Sequence, residues 1–254
     1  MKPALAIALL LMVVGFGPAR GDDIDAGASV DSIRITYSFT GQQVLIFGTI
    51  IAKEATSANS DVVILLRGPN GNFVVRRKEP LGPIWLNQDR TKFHAVPGFY
   101  FIASTRPIDE IAPAPVLDRY ELGLGHLKLE PMKMPRAGDV QVYGKAFLAE
   151  MQEARLYTEV SGPYAVYSVG QALFSVKIDL PESVPVGEYQ VRALLFQNGN
   201  VVGDKSWPLR AEKSGIESWL YDAAHKVPSA FGVSMVAISV FFGWGASMFF
   251  RRQV

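Results

Sequence analysis

A chain of 254 residues with a formal net charge of +1 lacks the excess of positive charge that nucleic-acid binding requires. Four of its 25 basic residues lie outside the stretch 22–250, whereas all 24 acidic residues lie inside it, so that stretch is slightly acidic. The chain has no cysteine, which excludes a disulfide framework, a thiolate metal site and a cysteine nucleophile.

The chain begins with an apolar run from Ala4 to Phe16, preceded by a single lysine. As a helix this run would be ~20 Å long, too short for a hydrocarbon core of roughly 30 Å. Small residues follow it, and the pattern predicts a signal peptide over residues 1–21, cleaved after Ala19 or Gly21. An uncleaved N-terminal anchor is the alternative.

A first β unit is predicted over residues 28–107, where short runs rich in Val, Ile, Phe and Tyr alternate with turn residues. The predicted strands are VDSIRITYSF, QVLIFGTII, DVVILLRG, NFVVRRKE and GFYFIAST. Asn70 and Gly71 tolerate positive φ angles, so the segment GPNGN predicts a tight hairpin between the third and fourth runs. Regular short strands of this kind indicate a β-sandwich.

Residues 108–158 break this pattern with several prolines and predict a helical connector. One helix is predicted around residues 116–123, and a second begins at Asp139, a favourable N-cap. An apolar stripe on the second helix is predicted to pack on the β core, with a groove for a partner as the alternative. The stripe comprises Val140, Tyr143, Phe147, Met151 and Ala154.

A second β unit is predicted over residues 159–213, from the runs ALFSVKIDL, GEYQVRALLF and NVVGDKSWPLRAEK, with a hairpin turn at Asn198-Gly199. Proline and then Gly-x-Tyr lead into an apolar strand at both Tyr100 and Tyr189, a pattern similar to the tyrosine corner of immunoglobulin-like sandwiches. The predicted fold is therefore mainly β, with one or two immunoglobulin-like β-sandwich units, a helical insertion and a single C-terminal transmembrane helix.

Residues 214–226 predict a short amphipathic juxtamembrane helix. Ser214 and Glu217 have the spacing of a capping box, and Trp219 would suit the membrane interface. A connector packed on the second β unit is the alternative.

Residues 227–250 contain no charge and form the predicted transmembrane helix, which would be ~36 Å long. Arg251 and Arg252 follow at once and favour a cytoplasmic tail over residues 251–254. With an exported N-terminus, this predicts a single-pass membrane protein whose bulk lies outside the cytoplasm.

Small residues recur every fourth position along this helix, at Ser239, Gly243 and Ser247. Small side chains at this spacing let two helix backbones approach closely in lipid, so the ridge predicts a helix–helix contact with a partner or a second copy. The alternative is that the ridge faces lipid.

No catalytic, cofactor or metal site emerges from the sequence. His94, His126 and His225 are far apart with no metal-ligand spacing, and no nucleophile elbow, phosphate loop or zinc-protease motif is present. The carboxylates Asp118 and Glu121 are predicted to be solvated on a helix. The protein is therefore predicted not to be an enzyme and to need no cofactor.

Arg67, Arg76 and Trp85 form the predicted contact for a small anion or an acidic partner. The prediction depends on the GPNGN hairpin, which would make Arg67 a neighbour of the Arg76 strand. The alternative is that these charges protect an exposed sheet edge from pairing.

Several stretches together resemble one known family. DVVILLRGPNGNFVVRRKEPLGPIWLN, PGFYFIASTRPIDEI, LPESVPVGEYQVRALLFQNG and the glycine- and tryptophan-containing span ending in Phe-Arg-Arg resemble the Alph_Pro_TM family of uncharacterised transmembrane proteins from alphaproteobacteria. The resemblance covers nearly all the chain after the signal peptide and provides no site residues. It implies a bacterial inner membrane, β domains in the periplasm and an accessory role beside an exporter of the TauE/SafE type.

Two functions follow as expectations. The first is a non-enzymatic, membrane-anchored periplasmic module that supports a membrane partner, such as that exporter. The second is a periplasmic receptor for a small anion. An enzyme with an unfamiliar site is a third and less favoured reading.

Overall fold

The computed structural model describes residues 23–36, 38–51, 60–81, 84–132, 139–163, 165–169, 172–213 and 223–250. The predicted signal peptide, the predicted cytoplasmic tail and residues 214–222 of the predicted juxtamembrane helix lie outside these residues.

The described strands and helices follow the predicted order closely. The strands are β1 Asp23–Ala28, β2 Ser32–Ile35, β3 Gln42–Ile51, β4 Ser60–Arg67, β5 Asn70–Leu81, β6 Ile84–Pro97, β7 Tyr100–Ser104, β8 Glu130–Pro131, β9 Tyr157–Ser161, β10 Tyr167–Val169, β11 Leu173–Leu180, β12 Gly187–Gln197 and β13 Asn200–Lys213. The helices are α1 Ile108–Ile111, α2 Ala114–Tyr120, the 3₁₀ turn Leu124–His126, α3 Asp139–Glu153 and α4 Pro228–Phe250.

The strands form three sheets. A four-stranded sheet has the order β1-β3-β11-β10, and a six-stranded sheet has the order β2-β13-β12-β4-β7-β9. A smaller sheet contains β5, β6 and β8. All pairs are antiparallel except β2 with β13 and β7 with β9, at the two sides of the six-stranded sheet. The fold is mainly β, as predicted, and its immunoglobulin-like detail stays a prediction.

Strands from both predicted β units lie side by side in both large sheets. β3 pairs with β11 in the four-stranded sheet, and β4 pairs with β12 in the six-stranded sheet. The stretches 28–107 and 159–213 therefore contribute to one composite sandwich, the first of the two arrangements that the sequence allowed.

β4 lies in the middle of the six-stranded sheet and is buried on both faces. Val62, Ile64 and Leu66 belong to a first core between the two large sheets. Val63 and Leu65 belong to a second core on the opposite face. This double burial explains why the strand is a continuous apolar run without alternating polar residues.

The helical connector and the β5–β6 ribbon cover the second face of that sheet. Tyr143, Phe147 and Met151 of α3 are buried in the second core, which confirms the central part of the predicted stripe. Val140 is half-buried, and Ala154 lies after the end of α3 and is exposed. The Phe147 ring centroid lies 5.4 Å from that of Phe73 on β5 and 5.6 Å from that of Phe93 on β6.

The hairpin predicted at GPNGN is wrong. Both edges of β4 are occupied, by β12 and β7, so β5 cannot pair with it. The chain instead crosses at Gly68-Pro69 into the three-stranded sheet, where β5 pairs with β6. The Gly68 amide donates to the Phe99 carbonyl over 2.8 Å, and a Cβ on Gly68 would lie 2.8 Å from the Phe99 Cβ.

The hairpin predicted at Asn198-Gly199 is confirmed. Gln197 pairs with Asn200 across the turn, and the two turn residues have φ angles of 50° and 80°. Positive φ at both central positions is the geometry that matches the twist of two antiparallel strands.

The two Gly-x-Tyr motifs have different roles in the structure. The Tyr189 hydroxyl donates to the Pro185 carbonyl four residues upstream, the bond that defines a tyrosine corner. The Tyr100 hydroxyl donates to the Glu121 carbonyl over 2.8 Å and ties β7 to the connector. Tyr189 lies in the first core and Tyr100 in the second.

α4 is long and apolar enough to cross a membrane, as predicted. Its segment Pro228–Ser247 has a mean hydropathy of 1.6 and is not buried against any other part of the described chain. A helix that is apolar on all sides and is not covered by other parts of a protein is stable only in a bilayer.

We expect Tyr189→Phe to lower the free energy of unfolding by about 1 kcal/mol, because it leaves the Pro185 carbonyl without its donor. Thermal denaturation of the full chain in detergent measures the change. Tyr167→Phe is the matched control, since Tyr167 is 63% exposed, and should be neutral. Equal changes in stability from Tyr189→Phe and Tyr167→Phe would show that the hydrogen bond from Tyr189 to Pro185 does not stabilise the fold.

Candidate functional site

The structure separates the three residues of the predicted anion or partner contact. Arg67 ends β4 in the six-stranded sheet, whereas Arg76 lies on β5, opposite Arg90, in the three-stranded sheet. The backbone of Trp85 lies on β6 opposite Pro80, and its side chain lies outside the described part of the structure. The proximity of Arg67 to the Arg76 strand, which depended on the GPNGN hairpin, is therefore not formed.

Arg67 forms an ion pair with Glu121, a residue that was predicted to be solvated. Its Nη1 lies 2.6 Å from Glu121 Oε2, with 29% and 18% of the two side chains exposed. Lys128 Nζ lies 4.0 Å from the other oxygen of the same carboxylate. Glu121 follows α2 with a φ of 53°, a left-handed conformation that turns the chain back towards β4.

A buried tyrosine, Tyr100, supports this ion pair. The Gly123 amide donates to the Tyr100 hydroxyl over 2.9 Å, and the same hydroxyl donates to the Glu121 carbonyl. Burial raises the pKa of Tyr100 far above its usual range, so the hydroxyl stays protonated and keeps donating at any physiological pH. The Arg67–Glu121 pair is thus held by a fixed backbone.

An open cleft of about 460 Å³ lies beside Arg67, at the end of the sandwich where β13 ends at Lys213. We call this the anchor end. Glu188, Gln190, Ser206 and Trp207 line the cleft with Arg67. The Trp207 indole N–H is buried and has no hydrogen-bond partner among the described residues. Because Glu121 already neutralises Arg67, the cleft offers mixed polar groups rather than a free positive charge.

A second cleft, of about 730 Å³, lies at the opposite end of the sandwich, beside the Asn198-Gly199 turn. Asp61 lies at its base and accepts from Arg106 Nε at 3.0 Å, Arg106 Nη2 at 2.5 Å and Thr105 Oγ1 at 2.8 Å. Burial raises the pKa of Asp61, but the bonds from Arg106 and Thr105 outweigh burial and lower the pKa overall. This bidentate pair joins the start of β4 to the end of β7, and the sequence carries no local signal for it.

His126 lies between two carboxylates of the connector. Its Nδ1 is 2.6 Å from Asp118 Oδ1 on α2, and its Nε2 is 3.5 Å from Asp109 Oδ1 on α1. Partial burial lowers the pKa of His126, but the hydrogen bonds with Asp118 and Asp109 outweigh it and the pKa is raised overall. Asp118 is predicted to be solvated, whereas the structure pairs it with His126, eight residues later across a turn.

The described residues form no cluster that would hold a metal ion. No group of three or more His, Asp or Glu side chains within them is placed to hold a metal ion. His94 Nδ1 contacts Asn72 Oδ1 at 2.8 Å, a pairing within the ribbon. The expectation that the protein is not an enzyme stays a prediction.

The predicted helix–helix contact lies on the exposed surface of α4. The Ser239 hydroxyl donates to the Met235 carbonyl over 2.8 Å, so it is satisfied within its own helix. A Cβ on Gly243 would meet no atom within 4 Å. Ser239, Gly243 and Ser247 thus form a shallow, exposed ridge along the helix.

A family model described as "Putative transmembrane protein (Alph_Pro_TM)" matches residues 23–252 of the chain. Among solved structures, the chain is similar to the cryo-EM structure of the native conformation of E. coli alpha-2-macroglobulin, with a TM-score of 0.28 and 10% identity. That match covers 78% of this chain and only 10% of the other, and it supports no conclusion about function. No curated protein matches the chain.

We expect Arg67→Ala to lower the free energy of unfolding by about 1–3 kcal/mol, because it leaves the mostly buried Glu121 carboxylate without its main partner. Arg76→Ala is the matched control, since Arg76 is exposed, and should change stability by less than about 0.5 kcal/mol. Thermal denaturation of the full chain in detergent measures both changes. A neutral Arg67→Ala would show that the pair contributes nothing to stability.

We also expect the contribution of His126 to stability to fall as the pH rises. Because the pKa of His126 is raised on folding, its stabilisation is fully present below the ordinary histidine pKa and is lost as the pH passes the folded value. The difference in melting temperature between the wild type and His126→Gln should therefore be larger at pH 5 than at pH 8. A difference that does not change with pH would contradict this assignment.

Proposed function

The chain belongs to the Alph_Pro_TM family of transmembrane proteins, and on that basis we propose that it is a non-enzymatic, single-pass accessory module that binds a membrane partner. In this proposal α4 spans the bacterial inner membrane, the sandwich lies in the periplasm and the C-terminus lies in the cytoplasm. The arginines after α4 support this orientation, because basic residues beside a span favour the cytoplasmic side.

The observation that carries the proposal is the surface of α4. The helix has no described neighbour, and its ridge at Ser239, Gly243 and Ser247 would let another helix approach closely. The Ser239 hydroxyl is bonded within α4, so this residue needs no polar partner on another helix.

The partner we propose is an integral membrane transporter. The family resemblance suggests an exporter of the TauE/SafE type, and a second copy of this chain would use the same ridge. Both faces of the six-stranded sheet are already covered, so that sheet offers no open face to a partner.

A receptor for a small anion is the second candidate function. Its support is the position of Arg67 in the cleft at the anchor end. The ion pair with Glu121 weighs against it, since an incoming anion would have to compete with a carboxylate at 2.6 Å. The geometry therefore favours the interaction module.

The experiment is site-directed crosslinking in native membranes, which the absence of cysteine in the natural chain makes simple. Gly243→Cys should give a crosslinked partner that mass spectrometry identifies. Phe241→Cys, on the opposite side of α4, is the matched control and should give little product.

Gly243→Leu should reduce co-purification of the same partner about tenfold, since a large side chain separates the helices by lost packing worth ~1.4 kcal/mol. Phe241→Leu should retain it. Equal crosslinking from both faces, or co-purification that Gly243→Leu leaves unchanged, would rule out the ridge as the contact.

A further inference from the structure

The six-stranded sheet ends in an open strand. β9 lies at one side of that sheet and, among the described strands, pairs only with β7, in parallel register. The Tyr100 amide donates to the Leu156 carbonyl over 2.9 Å, just before β9. The Gly162 amide donates to the Ser104 carbonyl over 2.9 Å, just after it. Because the backbone groups of a strand point alternately to its two sides, three residues of β9 direct their amides and carbonyls away from β7, namely Tyr157, Glu159 and Ser161.

The facing sheet is open along the same side. β11 pairs with β10 only from Leu173 to Ser175, so its second half has no described neighbour there. An open cleft of about 490 Å³ is lined by both of these edges and by residues of the core between them. The lining includes Val160 and Ser161 of β9, Lys177 of β11, and Phe101, Arg155 and Ala165.

β9 carries little protection against pairing. Exposed edges are commonly protected by charged side chains or proline, and β1, at the side of the four-stranded sheet, carries Asp23 and Asp25. β9 reads YTEVS and has a single charge, Glu159. Its Oε2 accepts from the Leu124 amide over 2.8 Å, so this carboxylate is engaged with the connector. The apolar Val160 is 36% exposed at the cleft.

An extended polypeptide strand is the ligand that fits an edge of this kind. A main chain offers alternating donors and acceptors at the spacing of a strand, ~3.3 Å per residue. An added strand would continue the pleat of β9, so its alternate side chains would enter the cleft between the two sheets. There they would meet Phe101, Val160 and Ala165, which favour apolar side chains.

The charges at the cleft favour an acidic segment. Arg155 and Lys177 are exposed there, and neither has an ion pair among the described residues. Asp179, the acidic residue of the lining, accepts from Gln43 Nε2 over 2.8 Å. A carboxylate on the added strand would therefore meet two unpaired cations.

A second copy of this chain fits the edge less well. Antiparallel pairing of β9 with itself about its centre would place Glu159 opposite Glu159 of the second copy, and like charges directly opposite each other destabilise a pair of strands. An acidic segment of a different protein avoids this repulsion when its carboxylates lie towards Arg155 and Lys177.

We infer that the open edge of β9 is a docking site for an extended, acidic segment of a partner protein, which joins the six-stranded sheet as a seventh strand. Main-chain bonds along β9 supply the affinity, and the cations at the cleft select acidic side chains. This inference goes beyond the contact proposed for α4 and does not depend on it.

The test selects peptides from a displayed library of short random sequences on the full chain in detergent, and measures the binding of the selected peptides by fluorescence anisotropy. We expect sequences in which apolar residues alternate and aspartate or glutamate lies among them. Ser161→Pro removes an amide that points away from β7 and should weaken binding about tenfold. Ser161→Ala keeps that amide and is the matched control.

Charge reversal supplies the second arm. On Arg155→Glu combined with Lys177→Glu, the same selection should yield lysine and arginine where the wild type yields aspartate and glutamate. This arm decides the matter if Ser161→Pro lowers the melting temperature. Gly243→Leu should bind the selected peptides as the wild type does, which separates this site from the ridge of α4.

Four results would overturn the inference. The first is a selection that yields no binding peptide, and the second is one whose peptides show no preference for acidic residues. The third is equal binding to Ser161→Pro and Ser161→Ala. The fourth is a dimer of the wild-type chain that Ser161→Pro disrupts, since a second copy would then occupy the edge.

Discussion

Burial of β4 on both faces is the constraint from which the rest of the structure follows. A strand that reads DVVILL in the middle of a six-stranded sheet exposes apolar surface on two sides, and each side needs a cover. The four-stranded sheet covers one side, and α3 with the base of the β5–β6 ribbon covers the other. The helical connector is therefore part of the core, not an appendage between two sandwiches.

Because β4 is buried on both faces, its polar contacts lie at its two ends. Arg67 pairs with Glu121 at the anchor end, and Asp61 pairs with Arg106 at the opposite end. The first pair joins the end of β4 to the helical connector. The second pair joins the start of β4 to the residue that follows the loop after β7. The surface of α4 and the two open clefts are among the exposed parts of the described chain.

Most of the elements could be predicted from local sequence, but their neighbours could not. The sequence does not predict β6, because the polar run NQDRTK interrupts its apolar residues. The strand forms through its pairing with β5 and, near its C-terminal end, with β8. Arg67 was placed beside the β5 strand because GPNGN is a strong local turn signal. The two edges of β4 were already occupied by strands distant in the chain, and that information is absent from the local sequence.

The sequence by itself determined that α4 is a helix long and apolar enough to span a membrane, that Asn198-Gly199 forms a hairpin, and that the fold is mainly β. Each of these depends on length, apolarity or φ preference within a few neighbouring residues. Only the tertiary structure decided that Tyr100 and Tyr189 face different cores, and that Arg67 finds its counter-ion 54 residues away. Strand pairing and burial depend on which distant segments compete for the same edge or face, and that competition is settled only when the whole chain folds.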